Sequence, residues 1–220
     1  MTPTHVEIAC RGETLWLLPD RGVWWPARRT LLIADSHFGK AATYRVLGQP
    51  VPHGTTQDNL ARLDVLVTRH DPVHLIFLGD FLHGPQVHVS TGPTLTTLLA
   101  WRRRWPHLRC TLVRGNHDVR AGDPPVALDI EVVDEPLLIG PYAVCHHPQV
   151  HATHYVLAGH EHPVYLLRGQ GKDVLRLPCY VFGEAGAVLP AFGGFTGGYP
   201  IPQDDERAIY VAGGGGVWRV

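Results

Sequence analysis

Short apolar runs that stop on a polar residue recur along this chain. Thr30-Leu31-Leu32-Ile33-Ala34 ends at Asp35, Leu75-Ile76-Phe77-Leu78 at Gly79-Asp80, and Thr111-Leu112-Val113 at Arg114-Gly115-Asn116. Tyr142-Ala143-Val144-Cys145 ends at His146, and Tyr155-Val156-Leu157-Ala158 at Gly159-His160. Continuous apolar runs of this length predict buried strands, each delivering a polar group at its C-terminal end. Between them the spacing of Leu60, Leu63 and Val67 predicts a helix from Thr55 or Thr56 to about His70. Leu95, Leu98 and Leu99 predict another, from Pro93 to about Trp105. Strands alternating with helices, with polar groups at the strand ends, predict an α/β layered fold with its site along that edge.

The flanks read as β-structure. Strands are expected over His5 to Cys10, over Thr14 to Leu18 after the turn at Arg11-Gly12, and around Val23-Trp24-Trp25. Further strands are expected over Val164 to Arg168, Val174 to Val181, Ala208 to Ala212 and Val217 to Val220. A βαβ half followed by an antiparallel half implies two sheets packed face to face with helices outside. At 220 residues and 45% hydrophobic composition, the chain is expected to form a single domain, 1-220, and it shows no internal repeat.

Composition narrows the function classes. The start, Met1-Thr2-Pro3-Thr4-His5-Val6-Glu7, has neither a basic segment nor a long apolar run, and no stretch reaches the ~18 apolar residues of a membrane span. No membrane association and a cytoplasmic location are expected. Cys10, Cys110, Cys145 and Cys179 are scattered without a Cys-x-x-Cys pair, which argues against a structural zinc site or a disulfide framework and for reduced, mostly buried thiols. Arginine outnumbers lysine 17 to 2, which makes Lys40 conspicuous. A net charge of −1 and a pI of about 6.9 lie below the pI of ~9 that marks a free-standing nucleic-acid binder. Anion attraction has to be local.

The polar run ends supply it. Asp35-Ser36-His37, Gly79-Asp80, Gly115-Asn116-His117-Asp118, His146 and Gly159-His160-Glu161-His162 are each weak alone, since Asp-x-His is common and Gly-Asn-His-Asp reads equally as a turn. Their conjunction at strand ends is specific. Mixed carboxylate, imidazole and amide donors suit Mn, Fe or Zn better than the all-oxygen shells of Mg or Ca. Asp80 is the natural bridge, because one carboxylate spans two ions about 3.5–4 Å apart. Two divalent ions, with Mn the first choice, are therefore expected.

This order of motifs, over roughly residues 30 to 162, resembles the calcineurin-like metallophosphoesterases. The resemblance implies a four-layer αββα sandwich, with Asp35, His37 and His162 on the first metal, Asp80 between the two, and Asn116, His146 and His160 on the second. It also implies that His117 donates a proton to the leaving group, oriented by Asp118. Cys145-His146-His147-Pro148 departs from the usual His-Gly, which leaves His147 as an outer or substrate-contacting group and His146 as the preferred ligand. His151 and His154 read as loop or packing residues.

Gly-Asp followed by Phe81-Leu82-His83 differs from the Asp-Arg-Gly of the protein phosphatases and is similar to the superfamily's repair nucleases, where the additional histidine, here His83, assists at the nucleic-acid backbone. Capping of the next turn is the plainer role for His83. The flanks Asp35 to Ala41, Gly48-Gln49-Pro50-Val51-Pro52-His53-Gly54, Pro178 to Glu184 and Pro190 to Gly198 are similar to the ligase-associated DNA damage response endonuclease family known as PdeM. That resemblance implies a DNA endonuclease of bacterial repair, working with a DNA ligase, a helicase and an exonuclease. The alternative is a phosphatase or phosphodiesterase for a small nucleotide or other metabolite.

Lys40 is placed to meet a substrate phosphate or to sit solvated at a helix start. Arg102-Arg103-Arg104 between Trp101 and Trp105 reads either as a backbone-tracking patch or, more simply, as a solvated helix end. The Phe192-to-Gly198 segment reads as a glycine-rich loop at the site mouth or as a plain connection.

Overall fold

The computed structural model describes residues 4–51, 54–85, 92–170, 172–202 and 206–220. Met1 to Pro3, and Pro52 and His53 of the second flank, lie outside the described residues. The chain runs through β1 (Val6–Cys10), β2 (Glu13–Leu17), β3 (Gly22–Trp25), β4 (Thr30–Ala34), α1 (Lys40–Val46), α2 (Thr55–His70), β5 (His74–Leu78), α3 (Pro93–Arg104), β6 (Arg109–Val113), α4 (Asn116–Ala121) and β7 (Glu131–Val133). It continues through β8 (Leu137–Ile139), β9 (Tyr142–Val144), β10 (Tyr155–Ala158), β11 (Pro163–Arg168), β12 (Val174–Phe182), β13 (Gly186–Val188), β14 (Tyr199–Pro200), β15 (Ala208–Gly213) and β16 (Gly216–Arg219).

Strands β1 to β7 form one sheet in sequence order. The second sheet runs β14-β11-β12-β13-β10-β9-β8, with β15 and β16 continuing from β12. Neither sheet divides as the expected βαβ and antiparallel halves. The first begins antiparallel and turns parallel from β4 to β7. The second is parallel at β9-β10-β13 and at β11-β14 and antiparallel elsewhere. The physical consequence is that both sheets contribute parallel strand C-termini to one edge.

Strand alternation explains the packing. In β4 and β5, Leu31, Ile33, Leu75 and Phe77 join the helix residues Leu60, Leu63, Leu66, Leu95, Leu98 and Trp101 in one core. Their neighbours Leu32, Ala34, Ile76 and Leu78 meet Tyr142, Val144, Leu157 and Tyr180 of the second sheet in another. Because each buried aliphatic contributes about 1.5–3 kcal/mol, both faces hold these strands in register. On the far side of the second sheet, the apolar clusters Ala143, Cys145, Val156, Ala158 and Cys179, Val181, Ile209, Val211 consist of strand residues and, at Cys145, the residue that follows β9. This mixed α/β organisation of two facing sheets agrees with the layered fold expected from the sequence. All four cysteines are free, three of them buried.

Candidate metal centre

Aligned registers bring the motifs together. Ala34 pairs with Leu78 and Leu78 with Val113, so Asp35, Gly79-Asp80 and Gly115-Asn116 leave the first sheet side by side. The loops stay joined beyond the strands: His37 N donates to Asp80 O at 2.8 Å and Phe38 N to Phe81 O at 2.8 Å. In the second sheet Leu157 pairs with Val144, and Gly159 N donates to His146 O at 3.0 Å. Two bonds close the edge between sheets, His160 N to Asp35 Oδ2 at 2.9 Å and His146 Nδ1 to Leu78 O at 3.1 Å. Close approach is what the motif glycines serve, since a Cβ on Gly79 would lie 2.2 Å from His146 Nδ1.

The donor atoms form two groups around Asp80. On one side Asp80 Oδ2 lies 3.5 Å from His37 Nε2, which lies 3.3 Å from His162 Nε2, itself 3.4 Å from Asp35 Oδ1. On the other, Asp80 Oδ1 lies 3.4 Å from His146 Nε2, which is 2.9 Å from Asn116 Oδ1 and 3.0 Å from His160 Nδ1. Asp35, His37, Asp80, His160 and His162 all have positive φ, between 44° and 71°. Such left-handed backbone in residues other than glycine costs of order 1–3 kcal/mol each and clusters at functional sites.

These residues fit metal ions. Asp35 Oδ1 is buried with no hydrogen-bond partner, an orphaned carboxylate oxygen that an ion would satisfy. His162 Nδ1 donates to Thr196 O at 3.2 Å and His146 Nδ1 to Leu78 O, which leaves each Nε2 lone pair directed at the site. Burial, reinforced by Lys40 and the neighbouring histidines, pushes His37 far below its ordinary value and keeps it neutral. Burial also lowers His160; at His162 burial is outweighed by the Asp35 carboxylate, and the group is raised. Among the described residues, every group of three or more such side chains with donor atoms within 4.8 Å of one another falls in this region.

The flanking residues fall as follows. His117 lies beside the first group, its N bonded to Asp80 Oδ1 at 2.9 Å and its Nε2 4.0 Å from Asp80 Oδ2. His83 Nδ1 is 3.2 Å from His37 Nδ1, which places His83 beside the first group of donors. Burial and Lys40 push His83 down to about 4. Asp118 is a correction: it does not orient the His117 ring. Its Oδ1 accepts from Leu82 N at 3.0 Å and its Oδ2 from Gly115 N at 2.9 Å, so it caps α4 and ties that helix to the loop after β5. Burial, against those two bonds, raises it to about 6.

Lys40 donates to Thr196 O at 3.4 Å and feels the charges of Asp80 and Asp35, although burial lowers it. The Phe192-to-Gly198 segment forms a wall of the site, with Gly193 N donating to Asp35 O at 3.1 Å. Arg62 holds that wall by donating to Phe192 O and stacking 4.2 Å above its ring. In the arginine run Arg103 and Arg104 are exposed, as a solvated helix end requires, whereas Arg102 is not. Arg102 is buried on Leu128 O and Asp129, and Arg104 pairs with Asp64. His151 and His154 stay outside the site, their rings 5.0 Å apart in their own loop.

Sequence reading missed Glu135, and it took Thr196 only as part of the segment at the site mouth. Glu135 Oε2 accepts from His146 N at 2.7 Å and His147 N at 2.9 Å, and Oε1 lies 2.8 Å from His147 Nδ1. Burial would raise this carboxyl, but those bonds hold it below the usual glutamate range. Glu135 sits in no motif, so only the fold could reveal it.

A family model described as calcineurin-like phosphoesterase matches residues 28–149. The chain belongs to this family. The crystal structure of Pseudomonas putida nuclease MPE superimposes with a TM-score of 0.88 at 49% identity, covering 99% of this chain and 100% of that one. Yfce, a phosphoesterase from E. coli, is 17% identical over 84% of this chain and 88% of its own, with a TM-score of 0.37. No curated protein sequence matches. As a calcineurin-like phosphoesterase, the chain is a metal-dependent hydrolase of phosphoric esters that uses divalent ions. Among the described residues, no helix is long and apolar enough to cross a membrane.

Proposed function

We propose that the protein is a dinuclear metal-dependent phosphodiesterase that cleaves DNA, an endonuclease of bacterial repair. The chemistry rests on one observation above all: Asp80 divides its two carboxylate oxygens between two groups of donors. The nuclease reading draws support from the 49% identity to nuclease MPE over nearly the whole of both chains. In this reading residues 1-220 act as one metallophosphoesterase domain in the cytoplasm. A DNA ligase, a helicase and an exonuclease are the partners the reading suggests.

Asp35, His37 and His162 would hold one ion, Asn116, His146 and His160 the other, and Asp80 both. Divalent ions held there supply Lewis acidity, which acidifies water and neutralises charge on the phosphoryl oxygens. The side chain of His117, 29% exposed, faces solvent beside this pair and is placed to give a proton to the departing oxygen. Lys40 adds a cation beside Asp35 and Asp80, a point charge for the phosphate. Asp118 keeps α4, and with it Asn116 and His117, against the loop that carries Asp80.

The test is an assay across Mn, Fe, Zn and Mg on defined DNA substrates, beside a phosphomonoester and a small cyclic or dinucleotide diester. Cleavage of DNA that chelation abolishes and manganese restores is expected. Turnover of the monoester or small diester with intact DNA would replace the nuclease reading with one of a metabolite phosphoesterase.

A further inference from the structure

We propose that His147 is an additional ligand of the second metal site, with Glu135 the positioning residue that fixes its tautomer. The inference rests on the assignment of His146 and His160 to that site and holds whichever ester is cleaved. A carboxylate only accepts hydrogen bonds. With Glu135 Oε1 2.8 Å from His147 Nδ1, the ring proton lies on Nδ1 and the Nε2 lone pair is free. His146 and His162 are prepared in the same way, each with Nδ1 on a backbone carbonyl, so His147 repeats the device with an anionic partner. A carboxylate in that outer position makes the imidazole a more basic donor.

Placement agrees. The His147 ring lies 4.6 Å from that of His146 and 4.5 Å from that of His160, and one ring nitrogen of each lies within 4.8 Å of the others. Its side chain is 43% exposed, so it approaches the second group from the open side while His146 closes the buried side. Glu135 Oε2 also accepts both backbone N–H groups of His146 and His147, so one carboxylate holds the backbone that carries both rings.

The experiment uses the full chain stripped of metal and titrated with Mn2+ by calorimetry, with bound metal counted after dialysis. Wild type, His146→Ala, His147→Ala, His147→Gln, Glu135→Gln and the Glu135→Gln, His147→Ala pair are compared, each checked for folding by circular dichroism. His147→Ala is expected to weaken the second equivalent about 10–100-fold and leave the first unchanged. Glu135→Gln retains an oxygen for the backbone N–H groups but disturbs the bond to Nδ1, and should weaken the same equivalent. Because Glu135 acts through His147, the pair should lose no more than His147→Ala alone. If His147→Ala does not fold, His147→Gln carries the same expectation. Unchanged binding of both equivalents in the His147 variants, with KM raised instead, overturns the proposal and assigns the ring to the ester. Two full equivalents in His146→Ala would remove the metal-centre assignment itself, a distinct failure.

Discussion

The rings of His83 and His117 stack with centroids 4.7 Å apart and planes 21° from parallel. One comes from the loop after β5 and the other from the first turn of α4, so the stack joins two separately placed elements at the first metal group. His83 in turn contacts His37 through their Nδ1 atoms, so it can hold His117 against the ligand shell.

His117→Asn is therefore expected to keep both metals and to lose about 10²–10⁴-fold in turnover on esters whose leaving oxygen needs a proton. The loss on a nitrophenyl diester, which departs as an anion, should be much smaller. Steady-state rates on the two substrates decide it: equal losses would mean that His117 positions the phosphate. His83→Ala should reproduce part of the first loss and add little to His117→Asn.

Asp80→Asn should remove metal and activity together, because one neutral amide replaces the carboxylate shared by both groups. Metal analysis after dialysis is the measurement. Two tightly held equivalents with near-normal turnover would show that another residue bridges.

Asp118→Ala is expected to act on stability as well as rate. Its buried carboxylate accepts from two backbone N–H groups, and each orphaned donor costs roughly 1–3 kcal/mol. Urea unfolding with the metal removed separates this loss from any effect of metal binding. A variant as stable as wild type would mean that water or another side chain satisfies both donors.

Far from the site, His74 gives an acid-sensitive component of stability. Its Nε2 lies 2.8 Å from Thr111 Oγ1, and burial, with Arg109 nearby, pushes it from 6.5 down to about 4. The unfolded chain then binds more protons than the folded one between these values, so this contribution is complete above about pH 6.5 and is lost as pH falls toward 4. Urea unfolding at pH 7 and pH 5 should show a smaller decline in His74→Gln than in wild type. Equal declines would place the titration elsewhere.

Which residue types end the apolar runs was legible from the chain alone. A strand buried on both faces must be continuously apolar, so Thr30 to Ala34 and Tyr155 to Ala158 declared both their structure and the position where a polar group leaves the sheet. Asp35, Asp80, His146 and His160 follow from that rule, as does the apolar face of α2. Local pattern, however, carries no information about what a side chain meets across the fold. Asp118 looked like a partner for its neighbour His117, but helical geometry directs it back to Gly115 N and across to Leu82 N. That Arg102 would meet Leu128 O and Asp129 was likewise not legible in the run of three arginines. Glu135 and Thr196 reach the histidines over 11 and 34 residues of chain, a relation set only once the strands between them have paired. The sequence determined the inventory of donors, because burial and chemistry constrain residue type position by position. Tertiary structure decided their partners, because hydrogen bonds and metal groups depend on distances that close only when separate strand ends share one edge.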